Sequence, residues 1–358
     1  MNTARSHDGA ASGPKPRAPS GPSIALARLG RSRRVLFGLI LLGMLALVGI
    51  FAEIIASPAP IVAVGSGRIA LFPGVTRPAV YEAMSREEIA ALHRGDAAIW
   101  PLIRYSPKAP TDAGPHAPAS LEHPAGTDAL GRDLAARLVY GARTALGLAL
   151  GAVLFGMLIG GAIGGLAGAF RGFWDDRLKG LVETVDTFPA IIVVALVRAI
   201  EREPSALSLV IAVAAVRWAE VARLVRAEVL RATPEEYVTA ARALGASPFR
   251  VFWRHILPNA IGPVLVSSVF GVASVVLLEA AMSFLAMGAP TRVASWGETL
   301  AEGARDPSQL RLIVLPGLLL LATVGGSYLI ADAMRDAVDP RTVRTRGEAE
   351  EGAVLSER

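Results

Sequence analysis

Long apolar runs separated by polar stretches dominate the pattern of this chain. Several runs approach or exceed the roughly 20 residues that a helix needs to cross a hydrocarbon core of about 30 Å. A soluble protein of this length would instead show strand alternation or an amphipathic helical period throughout. The pattern therefore predicts an all-α, polytopic membrane protein with six transmembrane helices. The predicted spans are 35–56, 144–170, 185–200, 206–225, 261–287 and 310–333.

The polar segments complete the predicted organisation. The stretch after the first span is rich in proline and has no spanning run, so it is placed outside the membrane. Within it we predict one short helix near 85–93, or else a disordered linker. The predicted domains are a cytoplasmic tail at 1–34, a first transmembrane helix at 35–56, an extracytoplasmic loop at 58–137, a five-helix core at 138–338 and a second cytoplasmic tail at 339–358.

Charge supports this topology. The net charge is +5, and arginines cluster before the first span and between the fourth and fifth spans. By the positive-inside rule these positions, and both termini, are cytoplasmic. The arginines in the connection between the fourth and fifth spans are Arg226, Arg231, Arg242, Arg250 and Arg254. The basic balance is therefore interpreted as a topology signal, and no nucleic-acid partner is predicted.

Small residues recur along the second predicted span. Their spacing places them on one helix face, where a neighbouring helix can approach closely. We therefore predict a helix interface, the alternative being ordinary glycine enrichment in a membrane helix. The glycines are Gly147, Gly151, Gly156, Gly160, Gly164 and Gly168.

Ionisable residues inside spans are costly and often mark functional sites. Arg217, Glu220 and Arg223 are three residues apart and are predicted to pair with one another near the inner end of the fourth span. Glu279 stands alone in the fifth span. It is either a pathway or gating group or a hydrogen-bonded link between helices.

The cytoplasmic connection at 233–259 contains helix signals. Thr233, Pro234 and Glu236 are arranged as a capping box with proline in the first turn, and Gly245 is suited to end the helix. Ser247 and Pro248 are suited to begin a second helix, predicted to run to 257–258. The first helix carries a predicted apolar stripe of Tyr237, Ala240, Ala241 and Leu244. Two short helices with an apolar and a basic face indicate a docking element, the alternative being a solvated basic loop that serves only topology.

The same connection resembles the EAA loop of ABC-importer permeases. The matching stretches are 237–247 (YVTAARALGAS) and 254–259 (RHILPN). The dipeptide/oligopeptide/nickel group, in its C-type subunit, is the most similar. The resemblance implies that this loop couples to an ATPase subunit. The residues it assigns to coupling are Glu236, Tyr237, Ala240, Ala241, Leu244, Gly245, Ser247, His255, Leu257 and Pro258.

Further stretches resemble the same group in the same order. One is GTDALGRD at 126–133, which precedes the second span, and another is LEAAMSFL at 278–285, in the fifth span. The other matching stretches are YGAR at 140–143, DTFP at 186–189, SWG at 295–297 and RDAVDP at 335–340. The resemblance therefore covers most of 125–340.

The resemblance implies a permease subunit of an ATP-driven, binding-protein-dependent importer for peptides or a related solute in the bacterial inner membrane. No G-x-x-x-x-G-K-[ST] phosphate loop occurs in the chain, so ATP hydrolysis is assigned to a separate subunit. The implied partners are ATPase subunits, a second homologous permease subunit and an extracytoplasmic solute-binding protein. No catalytic, metal or cofactor site is expected.

Two other classes of function are considered. A secondary, ion-coupled transporter would need acidic groups at mid-depth, for which Glu279 is the only strong candidate. An intramembrane enzyme is disfavoured, because the 5 histidines are scattered and the chain has no H-E-x-x-H pair. These histidines are His7, His93, His116, His123 and His255.

Overall fold

The computed structural model describes residues 32–65, 68–76, 80–81, 84, 86–170, 172–201, 205–288 and 293–338. The predicted tail at 339–358, nearly all of the predicted tail at 1–34 and most of the predicted turn at 201–204 lie outside the described residues.

Four helical stretches in the described part of the chain are long and apolar enough to cross a membrane: Arg33–Ile50, Leu134–Ala169, Pro248–Phe284 and Leu310–Ala337. The first is α1 and is followed by a four-residue helix, α2 (Ala52–Ile55). The second is α5 (Leu134–Ala169), which begins ten residues before the predicted span. The last is α13 (Leu310–Val338). By length and composition alone, the described residues contain four or five spans, so the predicted count of six is not confirmed.

The predicted third span is not one continuous helix. Its first two residues end α6 (Phe173–Asp186), and most of the rest forms α7 (Ala190–Ile200), whose axis is bent by 80° from that of α6. Pro189 precedes α7. A proline disfavours helical geometry in the residue before it and cannot donate a backbone hydrogen bond, so the chain turns there. The two helices count as one additional span only if α6 and α7 are taken together. Below, the fifth span is the predicted span at 261–287.

The predicted fourth span is α8 (Ala206–Ala232), which runs seven residues past the predicted end. Its charged residues, three of them within 217–223, keep it outside the group of four helices that are apolar enough to cross a membrane. Arg217 Nη1 lies 2.6 Å from Glu220 Oε2, which confirms that predicted pair. The predicted pairing of Arg223 within the same helix is wrong, because Arg223 contacts Asp186 at the end of α6.

Glycines on α5 allow α8 to approach its backbone closely. A Cβ atom on Gly160 would overlap the Trp218 carbonyl, and one on Gly164 would overlap the backbone of Ala222. Gly151, Gly156 and Gly168 also face α8 side chains or backbone. The predicted helix interface is confirmed for these five glycines and is wrong for Gly147, which faces open space.

The segment between the first span and α5 contains a small antiparallel sheet that the all-α prediction missed. Its strands are β1 (Val62–Gly65), β2 (Arg68–Leu71) and β3 (Ala97–Ile99), in the order β2-β1-β3. Short helices α3 (Pro73–Thr76) and α4 (Arg86–Leu92) lie between β2 and β3 in the chain. Helix α4 confirms the short helix predicted near 85–93.

The stretch that contains the SWG motif forms a helix, α12 (Trp296–Arg305), capped by the Ser295 hydroxyl. Trp296 is fully buried, and its Nε1 donates to the Leu138 carbonyl at 2.9 Å. A Cβ atom on Gly297 would collide with Ala280 on the fifth span. The motif therefore packs α12 between the start of α5 and the end of the fifth span.

A buried cluster of charges joins the GTDALGRD stretch to α12. Arg132 Nε lies 2.6 Å from Asp128 Oδ2, and its Nη2 lies 2.7 Å from Glu302 Oε1. Arg137 Nη2 lies 3.0 Å from Glu298 Oε2. We call these five residues the charged clasp. It connects the segment before α5 with the helix between the last two spans.

Candidate functional site

The candidate site is the connection between α8 and the fifth span. Its first helix, α9 (Glu236–Ala243), begins without the predicted capping box. Thr233 instead ends α8, and its hydroxyl donates to the Val229 carbonyl at 2.7 Å. The side chains of Val229 and Ala232 are buried, so packing extends α8 through the predicted cap. Glu235 is the N-cap of α9, without a side-chain hydrogen bond.

The end of α9 has the predicted form. Gly245 has a φ of 82°, in the left-handed region. The Gly245 amide donates to the Arg242 carbonyl, and the Ala246 amide donates to the Ala241 carbonyl. This is a Schellman motif, in which glycine satisfies the last helical carbonyls at no steric cost. The Ser247 hydroxyl then caps α10 (Pro248–Val251), as predicted.

The predicted end of the second helix at 257–258 is wrong. A π-helical turn at Phe252–Ile256 joins α10 to α11 (Leu257–Phe284), so the helix continues into the fifth span. Pro258 has no amide hydrogen to donate to the Arg254 carbonyl, and its ring would clash there in an α-helix. The wider π turn accommodates the proline without ending the helix.

The packed face of α9 differs from the predicted apolar stripe. Val238 is 0% exposed and Ala241 is half-buried, whereas Tyr237, Ala240 and Leu244 are exposed. The sequence pattern missed Val238, the residue that fixes α9 to the bundle. It belongs to a buried cluster with Val221, Val225, Val229, Ala232, Val251, Ile256 and Val264.

The opposite side of the connection presents large apolar residues to solvent. Leu244 is 89% exposed, and Tyr237, Phe249 and Trp253 are exposed as well. The rings of Phe249 and Trp253 lie 5.9 Å apart. We call these four residues the exposed coupling face. Phe249 and Trp253 were not among the predicted coupling residues, although their four-residue spacing on a helix is a usable signal.

The remaining residues that were predicted to couple to the ATPase differ in solvent exposure. Glu236, Gly245, Ser247 and Pro258 are exposed, whereas His255 and Leu257 are half-buried. The His255 carbonyl accepts a hydrogen bond from Asn259 Nδ2 at 2.7 Å. A cavity of about 240 Å³ lies behind the connection, between Gly168 and Ala169 at the end of α5 and residues that include Arg242 and Phe252.

Glu279, the other candidate residue, is 1% exposed within α11. Its Oε1 accepts hydrogen bonds from the Ser283 hydroxyl at 2.7 Å and the Ser295 hydroxyl at 2.8 Å. Ser295 also caps α12, so the carboxylate bridges the fifth span to α12. Oε2 has no hydrogen-bond partner in the described part of the chain.

Residues 141–344 match the family described as the binding-protein-dependent transport system inner membrane component. The match spans more than half of the chain. The chain belongs to this family.

Relatives support the family assignment. A protein of Brucella suis is 38% identical over 226 residues, which cover 63% of this chain and 75% of that protein. The dipeptide transport system permease protein DppC of Alkalihalophilus pseudofirmus is 34% identical, over 62% of this chain and 73% of that protein. The oligopeptide transport system permease protein OppC of Bacillus subtilis is 34% identical, over 63% and 73%.

A solved structure is also similar. A chain of the MetNI methionine ABC transporter, in an inward-facing conformation, aligns with a TM-score of 0.48 and 21% identity. The alignment covers 56% of this chain and 94% of that chain.

The family assignment confirms the main functional prediction. The chain is a multi-pass inner-membrane permease subunit of an ABC importer, whose ATPase is a separate subunit. It is a transport component rather than an enzyme. The alternative of a secondary, ion-coupled transporter is not supported.

Proposed function

We propose that this permease carries peptides or a related solute, and that the exposed coupling face is the surface on which the ATPase subunit docks. The names of its relatives support the substrate class. The observation that carries the docking proposal is the contrast between Leu244 and Val238. Leu244 is 89% exposed near the end of a helix whose other side, at Val238, is completely buried in the bundle.

This contrast fits a rigid docking element. Burial of a cluster of valines holds α9 against α8 and the start of α11, so a force on the exposed side is transmitted to the bundle and not absorbed by a flexible loop. Large apolar side chains on a surface favour contact with a partner. The Schellman turn at Gly245 and the cap at Ser247 fix the direction of the chain between α9 and α10.

The proposed mechanism is alternating access. Closure of the ATPase subunits displaces the docking element, and the permease bundle changes between inward-open and outward-open states. A second homologous permease subunit completes the pathway, and a solute-binding protein delivers the solute from outside. The arginine-rich connection and the arginines before the first span support cytoplasmic termini, with the segment between the first span and α5 outside.

We test docking with Leu244→Asp and a matched control, Leu121→Asp, which replaces another fully exposed leucine in the segment before α5. Loss of one buried leucine contact is worth about 1.5–3 kcal/mol, or roughly tenfold to a hundredfold in affinity. We expect Leu244→Asp to insert normally but to lose copurification with the ATPase and solute uptake. The control should retain both. Normal uptake by Leu244→Asp would reject the docking assignment.

A further inference from the structure

The small sheet before α5 has one entirely aliphatic face. Residues opposite each other on neighbouring strands project to the same side of a sheet. The register pairs Val62 with Leu71 and Ile99, and it pairs Val64 with Ile69 and Ala97. We call these six residues the outer sheet face.

The outer sheet face is uncovered. Ile69 is 70% exposed and Ile99 is 63% exposed, whereas the alternate positions Ala63, Ala70 and Ala98 on the other face are buried or half-buried. The exposed aliphatic surface is on the order of 500 Å², a size at which an apolar patch is often functional. The sheet therefore has one packed face and one face that lacks a partner within the described part of the chain.

Hydrogen bonds fix the sheet to the exit of the first span. The Ile103 amide donates to the Ile55 carbonyl at 2.9 Å, and the Ser57 amide donates to the Ile103 carbonyl at 3.0 Å. The Ile61 amide continues this pairing by donating to the Ile99 carbonyl at 2.7 Å. Because α1 and α2 together are about as long as a hydrocarbon core is thick, Ile55 lies close to the membrane boundary. The sheet starts from that boundary without a flexible linker.

A second contact holds the same end of the sheet near the membrane. Helix α3 follows β2 directly, and a Cβ atom on Gly74 would lie 3.0 Å from Ser57 Oγ and 3.9 Å from Glu53 Oε2. Glu53 lies in α2, directly after the first span. Leu71 therefore precedes this contact at Gly74 by only three residues. Phe72, between Leu71 and Gly74 in the chain, has an exposed side chain.

The chemistry of the outer sheet face suits lipid better than protein. Protein interfaces are enriched in Tyr, Trp and Arg and carry about one hydrogen bond per 100–200 Å². None of the six residues has a polar side-chain atom. The exposed area is also below the roughly 800 Å² that each partner buries in a standard protein interface. Acyl chains need only apolar surface.

Residues beside β3 have the character of a membrane interface. The Arg104 guanidinium lies 5.3 Å from the centre of the Trp100 ring, and the neighbouring Leu102 is 87% exposed. Tryptophan and arginine sit well at the headgroup level, with their apolar parts towards the hydrocarbon. This group lies in the stretch that is hydrogen-bonded to the exit of the first span.

We propose that the outer sheet face rests on the outer leaflet of the bilayer, so that the segment between the first span and α5 is a peripheral membrane anchor. The inference goes beyond solute transport, and it rests on the proposed location of this segment outside the cytoplasm.

The chain has 0 cysteines, which permits single-cysteine labelling without background. Ile69→Cys and Ile99→Cys place a fluorophore on the outer sheet face. Leu121→Cys and Glu87→Cys are controls on other exposed positions of the same segment. Each variant, assembled with its partner subunits, is placed in nanodiscs of phosphatidylethanolamine and phosphatidylglycerol that carry a nitroxide lipid. A membrane-impermeant thiol reagent first establishes on which side of the membrane Leu121→Cys is labelled.

We expect the nitroxide lipid to quench labels at 69 and 99 at least threefold more than labels at 121 and 87. If the nitroxide lipid quenches all four labels equally and Leu121→Cys is labelled from outside, the membrane anchor is rejected while the proposed topology stands. The anchor would also fail if labels at 69 and 99 were shielded from the nitroxide by the second permease subunit or by an added solute-binding protein. Labelling of 121 from the cytoplasmic side would instead reject the proposed topology.

Discussion

Asp128 Oδ2 and Arg137 Nε lie 3.2 Å apart, and neither side chain reaches solvent. The contact is an ion pair without the alignment of a hydrogen bond, since Arg137 Nε has no hydrogen-bond partner among the described residues. The same carboxylate pairs with Arg132. Asp128 is therefore the shared anion of two buried guanidinium groups, and the charged clasp depends on it.

We expect Asp128→Asn to lower the thermal unfolding midpoint of the detergent-purified protein. Removing one partner of a buried ion pair costs about 3–5 kcal/mol, because the remaining charge stays buried without compensation. Asp112→Asn, on an exposed aspartate of the same segment, is the control and should unfold like the parent protein. Identical midpoints for both variants would show that the clasp contributes nothing to stability.

The clasp also predicts a pH dependence. Burial raises the pKa of the Glu302 carboxyl, and the charge of Asp128 adds to the rise, although Arg137 and Arg132 oppose it. Because the folded protein holds this proton more tightly than the unfolded chain, the resulting stabilisation is present at low pH. It is lost as the pH rises through the raised pKa.

Glu302→Gln should therefore flatten the decline of the unfolding midpoint as the pH rises above the ordinary glutamate pKa of about 4.3. The amide still offers an oxygen to Arg132. Glu87→Gln, on an exposed glutamate, should leave the decline unchanged. A profile for Glu302→Gln that is parallel to that of the parent protein would contradict the role given to this carboxyl.

Two adjacent glycines on α5 provide a matched test of the helix interface. A Cβ atom on Gly160 would overlap α8, whereas one on Gly161 would meet nothing within 4 Å. We expect Gly160→Ala to destabilise the protein by about 1–3 kcal/mol through overpacking. Gly161→Ala should be neutral or slightly stabilising, because alanine favours a helix. Thermal unfolding of the two variants decides the matter, and equal midpoints would refute close packing of α5 on α8.

The two interpretations of Glu279 can be separated by a pair of substitutions. Glu279→Gln keeps an oxygen for the Ser283 and Ser295 hydroxyls, whereas Glu279→Leu removes it. If the residue is a link between the fifth span and α12, the Gln variant should fold and transport. The Leu variant should then lose about 1–3 kcal/mol of stability, since buried hydroxyls lose their acceptor. A Gln variant that is stable but cannot transport would favour a pathway role instead.

Sequence periodicity predicted the helical class well, because long apolar runs leave few alternatives in a membrane. Periodicity failed to predict helix ends and buried faces that are set by tertiary packing. The burial of Val229 carries α8 past the cap that Thr233 offered, and the burial of Val238 leaves most of the predicted apolar stripe of α9 on the exposed side. Pro189 was visible in the sequence, but a proline by itself does not state whether a span kinks or turns by 80°.

Other features were beyond the reach of local patterns. Strands of three or four residues are too short to show an alternation, so the sheet at β1–β3 left no clear signal. The GTDALGRD stretch was found by resemblance, but its ion pairs connect residues more than 160 positions apart in the chain. Only the folded structure shows that Arg132 forms ion pairs with glutamates of α12.

The unbroken helix from Pro248 to Phe284 has a mechanical consequence. At 1.5 Å per residue its length is roughly 55 Å, so a tilt of only about 5° about one end would move the other end by about 5 Å. The π turn lets the helix continue past Pro258 without ending. The helix can therefore act as a lever: a small rotation about the end beside Ser247 on one side of the membrane becomes a displacement of several ångströms beside Glu279 and α12 on the other.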